Sequence, residues 1–198
     1  MREAGMRSWL LTVRPSEAEF ATALASGADV VVLEGEPPSQ DLHVATASRL
    51  VVKIDGDLDA LTTLAPWAIL APCSSGADVQ RLGAKLAVRE ARLGLADGAT
   101  RIVASIGDAR GLMNLPSFAG ASPRLAALLF EAQTPDLALA RGLVVLAAAA
   151  ANVAAIDGAG DPQRFAQEAA LARDAGFDGR IATNGHDVAT LNALFGKP

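Results

Sequence analysis

Eight short apolar runs recur along the chain, and a helical pattern separates each from the next. The runs are predicted strands at Ser8–Val13, Asp29–Leu33, Leu50–Ile54, Trp67–Ala71, Arg101–Ser105, Leu125–Phe130, Ala154–Ile156 and Arg180–Thr183. They show no alternation of apolar and polar residues, so both faces of each strand must be covered. That is the signature of a parallel sheet wrapped by helices. Eight strand–helix units in 198 residues leave about 25 residues each. The prediction is one domain over 1–198, an α/β fold of the (βα)8 TIM-barrel type. It must be compact with short loops, because such barrels typically take about 250 residues. An open doubly wound sheet is the alternative. It gains no support, because no Gly-x-Gly-x-x-Gly follows the first strand.

Local signals place the helices. Ser16, followed by Glu17 and Glu19, predicts an N-cap and an acidic first turn, with Gly27 free to end that helix in the left-handed region. A helix over 77–93 carries Val79, Leu82, Leu86 and Val88 on its apolar side. Thr134-Pro135-Asp136 reads as a cap, a proline at N1 and an acid; Asp161-Pro162 repeats the pattern for a helix ending at Gly176. The last helix is expected over 186–195.

Composition narrows the partners. Hydrophobic residues make up 51% of the chain, but aromatics only 4%, with no tyrosine. The core must therefore be packed from Ala, Val and Leu. A net charge of −5 with no run of basic residues speaks against nucleic acid. The longest apolar run, Leu143 to Ile156, is too short for a bilayer, so no membrane association is expected. A single cysteine, Cys73, and an N-terminus without a signal-type apolar stretch lead to the expectation of a reducing, cytoplasmic setting.

In a barrel, function collects at the C-terminal ends of the strands. Those ends carry Arg14, Glu34, Glu36, Lys53, Asp55, Cys73, Asp108, Glu131, Asp157, Asn184 and His186. Converging carboxylates could hold a hard cation such as Mg2+. The plainer reading is that these residues cap helices and face solvent, since strand-to-helix loops need Asp, Ser and Asn for that purpose. His43 and His186 lack partners at zinc spacing. Cys73 reads as a small buried apolar residue. Lys53 could form a Schiff base, but a salt bridge to Glu34 or Glu36 on the adjacent strand is preferred.

The same residues carry a resemblance. Arg7-Ser8-Trp9-Leu10-Leu11 looks like the opening strand of the HpcH/HpaI aldolase/citrate lyase family, the citrate lyase β-subunit-like proteins. Ala23 to Glu36, ALASGADVVVLEGE, resembles that family's second unit. Ala140 to Gly158, ARGLVVLAAAAANVAAIDG, resembles its seventh, and Gly176-Phe177-Asp178-Gly179-Arg180 matches its GFDGK. The resemblance covers nearly the whole chain. It implies a Mg2+-dependent carbon–carbon lyase acting on 2-oxo or 2-hydroxy acids and acyl-CoA, and a homo-oligomer. In such enzymes the metal polarises a carbonyl and stabilises an enolate.

Several positions depart from the family. Lys53 stands for its carboxylate-binding Arg, keeping the charge and losing the fork. Gly107, in IGDARGL, stands for its metal-binding Glu. The stretch after Phe130 that should bear the metal Asp is about ten residues shorter. Its C-terminal lid extension has no counterpart before Pro198. The resemblance therefore leads to the expectation of altered or lost catalysis on a small-carboxylate or acyl-CoA binder. Two alternatives remain open: a working lyase with relocated ligands Glu36, Asp108 and Glu131, and a non-catalytic partner subunit. Under these readings Lys53 and Glu36 are assigned to catalysis, Arg14 and Asp157 to substrate binding, and Asp108 and Glu131 to the metal.

Overall fold

A computed structural model describes residues 6–38, 49–58, 61 and 65–196. Eight strands are β1 (Ser8–Val13), β2 (Val30–Glu34), β3 (Arg49–Lys53), β4 (Ala68–Pro72), β5 (Arg101–Ile106), β6 (Leu125–Phe130), β7 (Ala154–Asp157) and β8 (Gly179–Ala182). They pair in sequence order, and β8 pairs back to β1, giving a closed barrel. Every pairing is parallel. The expected (βα)8 architecture is what the chain adopts.

Strand periodicity sorts the apolar residues into two layers. Trp9, Val30, Val32, Val51, Ala68, Leu70, Val103, Ala127, Leu129, Ala154 and Ile156 point into the barrel and fill it. Their neighbours, among them Leu10, Val31, Leu33, Val52, Ile69, Ala104, Leu128 and Phe130, point out against the helices. Alanines in the inner layer leave room for Trp9, whose Nε1 donates to the Met6 carbonyl at 3.1 Å. Closure demands a small residue as well. A Cβ on Gly179, where β8 meets the start of β1, would lie 1.9 Å from the Met6 carbonyl oxygen.

Six α-helices lie among the described residues: α1 (Glu17–Leu24), α2 (Gly76–Leu93), α3 (Ala109–Met113), α4 (Leu137–Ala151), α5 (Phe165–Ala175) and α6 (Gly185–Leu194). Ser16 and Glu19 form a reciprocal capping box on α1. Gly176 ends α5 in the left-handed region, as expected. Two boundaries differ from the sequence reading. The α4 cap is Asp136, not Thr134, because its carboxylate reaches the Leu139 N–H at 2.9 Å. Asp161-Pro162 opens a short 3-10 turn before α5 begins.

Below the barrel, buried Glu90 on α2 gathers the Gly98 and Thr100 N–H groups and both Arg124 amino groups, at 2.7–3.0 Å. This ties the C-terminal end of α2 to the entry of β6. No helix among the described residues is long and apolar enough to cross a membrane.

Candidate active site at the barrel mouth

The inner layer continues upward by the same two-residue step and there changes from apolar to polar. Glu34 follows Val32, Lys53 follows Val51, Ser105 follows Val103 and Glu131 follows Leu129. The strand ends thereby aim these side chains at the mouth, as the fold requires of a barrel site. Glu34 and Lys53 are register partners, and Lys53 Nζ donates to Glu34 Oε2 at 3.2 Å. The predicted Lys53 salt bridge thus forms, to Glu34 rather than Glu36. Across the mouth, Ser105 Oγ donates to Glu131 Oε2 at 2.5 Å.

Arg14 is held over this cleft by an unusual backbone. Its φ is +44°, a left-handed conformation that costs an ordinary residue about 1–2 kcal/mol. Its N–H donates to the Glu34 carbonyl at 2.8 Å. Gly35 supplies the space: its φ is +103°, and a Cβ there would meet Arg14 Cγ at 2.7 Å. Arg14, Glu34, Glu36 and Lys53 line a common cleft of about 780 Å3, together with Asp55 and Asp57. Three predicted site residues, Arg14, Glu36 and Lys53, are therefore gathered.

The other three are not. Asp108 caps α3, accepting from the Gly111 N–H at 2.7 Å. Glu131 is engaged by Ser105 on the far side of the mouth. Asp157 corrects the sequence reading. It ends β7, but it shares the outward parity of Ala155 and is fully buried between the barrel and the helices. There Arg141 of α4 donates to its two oxygens at 3.2 and 3.1 Å, and Arg180 pairs with it from β8. Arg141 also reaches Glu168 of α5 at 2.7 Å. Burial, with Arg141 alongside, pulls Arg180 down to about 10, so it stays cationic at neutral pH. Asp157 is a core ion-pair residue without access to the mouth.

Sequence reasoning overlooked Ser105, Arg141 and Arg180. Ser105 is the polar residue of the otherwise apolar run Ile102–Ile106. Arg141 is the one charged residue in α4, and a lone charge in so apolar a helix calls for a buried partner.

Cys73 lies between the mouth and α2, buried, with its N–H donating to the Ser105 carbonyl at 3.0 Å. Burial pushes its thiol up to about 12, with Asp78 adding to the rise. It is inert as a nucleophile at neutral pH. Asn184 accepts from the Asp187 N–H and caps α6. His43 lies outside the described residues.

Magnesium, which the resemblance implies, takes converging oxygen ligands. Of the expected ligands, Asp108 is committed to a helix end and Glu131 to Ser105, and Glu36 lies apart from both in the β1–β3 cleft. No group of three or more His, Cys, Asp or Glu side chains that could hold a metal occurs among the described residues. The described residues thus do not bring the expected ligands together around an ion.

No family model matches the chain. The citrate lyase subunit β of Leuconostoc mesenteroides subsp. cremoris is 27% identical over 175 residues, a span covering 75% of this chain and 58% of that relative. The chain thus spans less than two thirds of the curated relative it matches. RipC from Yersinia pestis is 28% identical with a TM-score of 0.71, over 98% of this chain and 96% of RipC. A Mycobacterium tuberculosis citrate lyase β subunit, solved with oxaloacetate and magnesium, superposes at a TM-score of 0.71 with 22% identity, over 98% of each chain. Haloferax volcanii malate synthase, in a pyruvate/acetyl-CoA complex, superposes at 0.81 with 14% identity, over 99% of this chain and 71% of the synthase. The last two show the fold alone. Together with the second- and seventh-unit motifs laid onto the observed barrel, the likenesses to the citrate lyase subunit β and to RipC support the resemblance to the citrate lyase β-subunit-like proteins of the HpcH/HpaI aldolase/citrate lyase family.

Proposed function

We propose that the mouth binds a small carboxylate, of the 2-oxo acid or acyl-CoA kind, through Lys53 and Arg14, and that carbon–carbon lyase catalysis is altered or lost. The observation that carries this reading is the division of the mouth. Two cations converge on one cleft, while two of the three carboxylates expected to hold a metal, Asp108 and Glu131, are committed to a helix end and to Ser105. Lys53 has three donors and uses one on Glu34, so two remain for an incoming carboxylate. Arg14 can offer its guanidinium fork to the same group. Glu36 lines the cleft beside them and is the residue left to take a proton from a bound acid.

Relatives of this fold have been solved with oxaloacetate and magnesium, and with pyruvate and acetyl-CoA. Those compounds are the first to try. Calorimetric titration with oxaloacetate, pyruvate and acetyl-CoA, each with and without Mg2+, tests the reading. The expected result is saturable binding that does not require Mg2+ and is lost in Lys53→Gln. Turnover of malyl-CoA or citramalyl-CoA that needs Mg2+ and disappears in both Asp108→Ala and Glu131→Ala would overturn it in favour of relocated metal ligands.

A further inference from the structure

A second cavity, of about 520 Å3, opens on the outer wall of the barrel along α2. Its volume falls in the range of small-molecule sites. Lys85, Arg89 and Arg92 line it, with Asp57 as the one acid among the described residues. Their spacing of four and three residues puts the three cations on one face of the helix. This is a concentration of positive charge on a chain whose net charge is −5.

Two further observations point to a ligand. Lys85 and Arg92 have no hydrogen-bond or ion-pair partner among the described residues, whereas Arg81, one turn earlier, is paired with Asp78. The wall also holds Val88 and Leu93, which are 53% and 42% exposed. These are the only large apolar side chains of α2 left in water among the described residues. Cations and exposed apolar carbon on the same wall match a molecule with both an anionic and an apolar part. Two or three clustered cations suit phosphate better than a single carboxylate.

We propose that this α2 cavity binds a phosphorylated small molecule of the nucleotide class, with its phosphates on Lys85, Arg89 and Arg92 and its base against Val88 and Leu93. The site is separate from the carboxylate cleft, although Asp57 lines both. A filled α2 cavity would therefore border the mouth. The proposal does not depend on the carboxylate reading.

Titration of the full chain with ADP, adenosine and inorganic pyrophosphate tests it. ADP is expected to bind saturably and more tightly than either adenosine or pyrophosphate, with affinity falling as salt rises. The double variant Lys85→Glu/Arg92→Glu should weaken ADP at least tenfold while leaving the unfolding midpoint unchanged. The milder Lys85→Gln/Arg92→Gln pair, should the reversal disturb folding, should weaken it at least threefold. Val88→Ser should weaken ADP and not pyrophosphate. Lys53→Gln, which empties the mouth, should leave ADP binding intact. Absence of saturable ADP binding, indifference to both double variants, or loss of ADP in Lys53→Gln would each overturn the proposal.

Discussion

The molecule holds two clusters of opposite charges, and water separates their roles. Glu34 and Lys53 meet inside the mouth, with side chains 40% and 29% exposed. Arg141, Asp157, Glu168 and Arg180 meet behind β7 and β8, each less than a tenth exposed. An exposed pair gains little and breaks at little cost, so it can exchange one partner for a ligand. A buried quartet cannot, because each charge depends on the others for what it lost in leaving water. The β1–β3 side of the mouth is thus suited to recognition, and the β7–β8 side to holding the barrel shut.

Breaking the buried cluster should have the largest effect. Asp157→Ala would strand two guanidinium groups against one remaining acid, Glu168. Removing one partner of a buried pair typically costs about 3–5 kcal/mol, which lowers Tm by roughly 6–20 °C in a domain of this size. Urea denaturation would measure it. Glu34→Ala, the matching cut at the mouth, should cost under about 1 kcal/mol. Equal losses from the two variants would erase the distinction between the clusters.

Acid should act on two further carboxyls, Glu90 and Asp29, outside both clusters. Burial pushes Glu90 up, but the Arg124 hydrogen bonds, the Thr100 and Gly98 N–H groups and the Arg124 charge outweigh it and hold its carboxyl below the ordinary 4.5. Asp29 is likewise raised by burial, yet bonds to Arg7 and Ser8 and the Arg7 charge bring it below 3.8. A depressed carboxyl releases its proton more readily in the folded state. Its stabilisation is therefore complete above the unfolded value and is lost as pH falls through the folded one. Unfolding free energy measured from pH 7 downward should hold until about pH 4.5 and decline below it. In Glu90→Gln the neutral-pH value should be lower and the decline shallower. A decline of unchanged steepness in that variant would remove Glu90 from the account.

The fold was legible in the sequence because strands buried on both faces read as unbroken apolar runs, and the eight predicted strands match the observed ones to within a residue or so at either end. That same uniformity hid the site. In Ala154-Ala155-Ile156-Asp157 every residue before the acid is apolar, so nothing in the run tells which parity faces inward. The sequence therefore points Asp157 to the mouth, whereas it belongs to the opposite layer. Glu34 and Lys53 escaped this ambiguity through a cross-strand argument, since opposite charges ending adjacent parallel strands can pair on either face. The Ser105–Glu131 contact could not be read from spacing, because the residues lie on different strands and the β5–β6 register shifts between Ile102 and Val103.

The smallest effect on stability, and the sharpest question to the mouth, comes from Gly107. It follows Ser105 by the two-residue step, so a side chain there would face the mouth near Glu131. A Cβ at Gly107 would meet nothing within 4 Å. Gly107→Glu should therefore fold with a Tm within a few degrees of the parent, as surface changes usually cost no more than about 0.5 kcal/mol. It would also set a second carboxylate beside one already on the mouth's inner wall, and Mg2+ is commonly bound through one or two carboxylates with water completing its shell. Tighter Mg2+ binding in Gly107→Glu than in the parent, reversed by adding Glu131→Gln, would show that one missing side chain is what separates this mouth from a metal site. Unchanged Mg2+ affinity would show that the Ser105–Glu131 bond also holds the acid away from that role, and Ser105→Ala in the Gly107→Glu background would then be the variant that frees it.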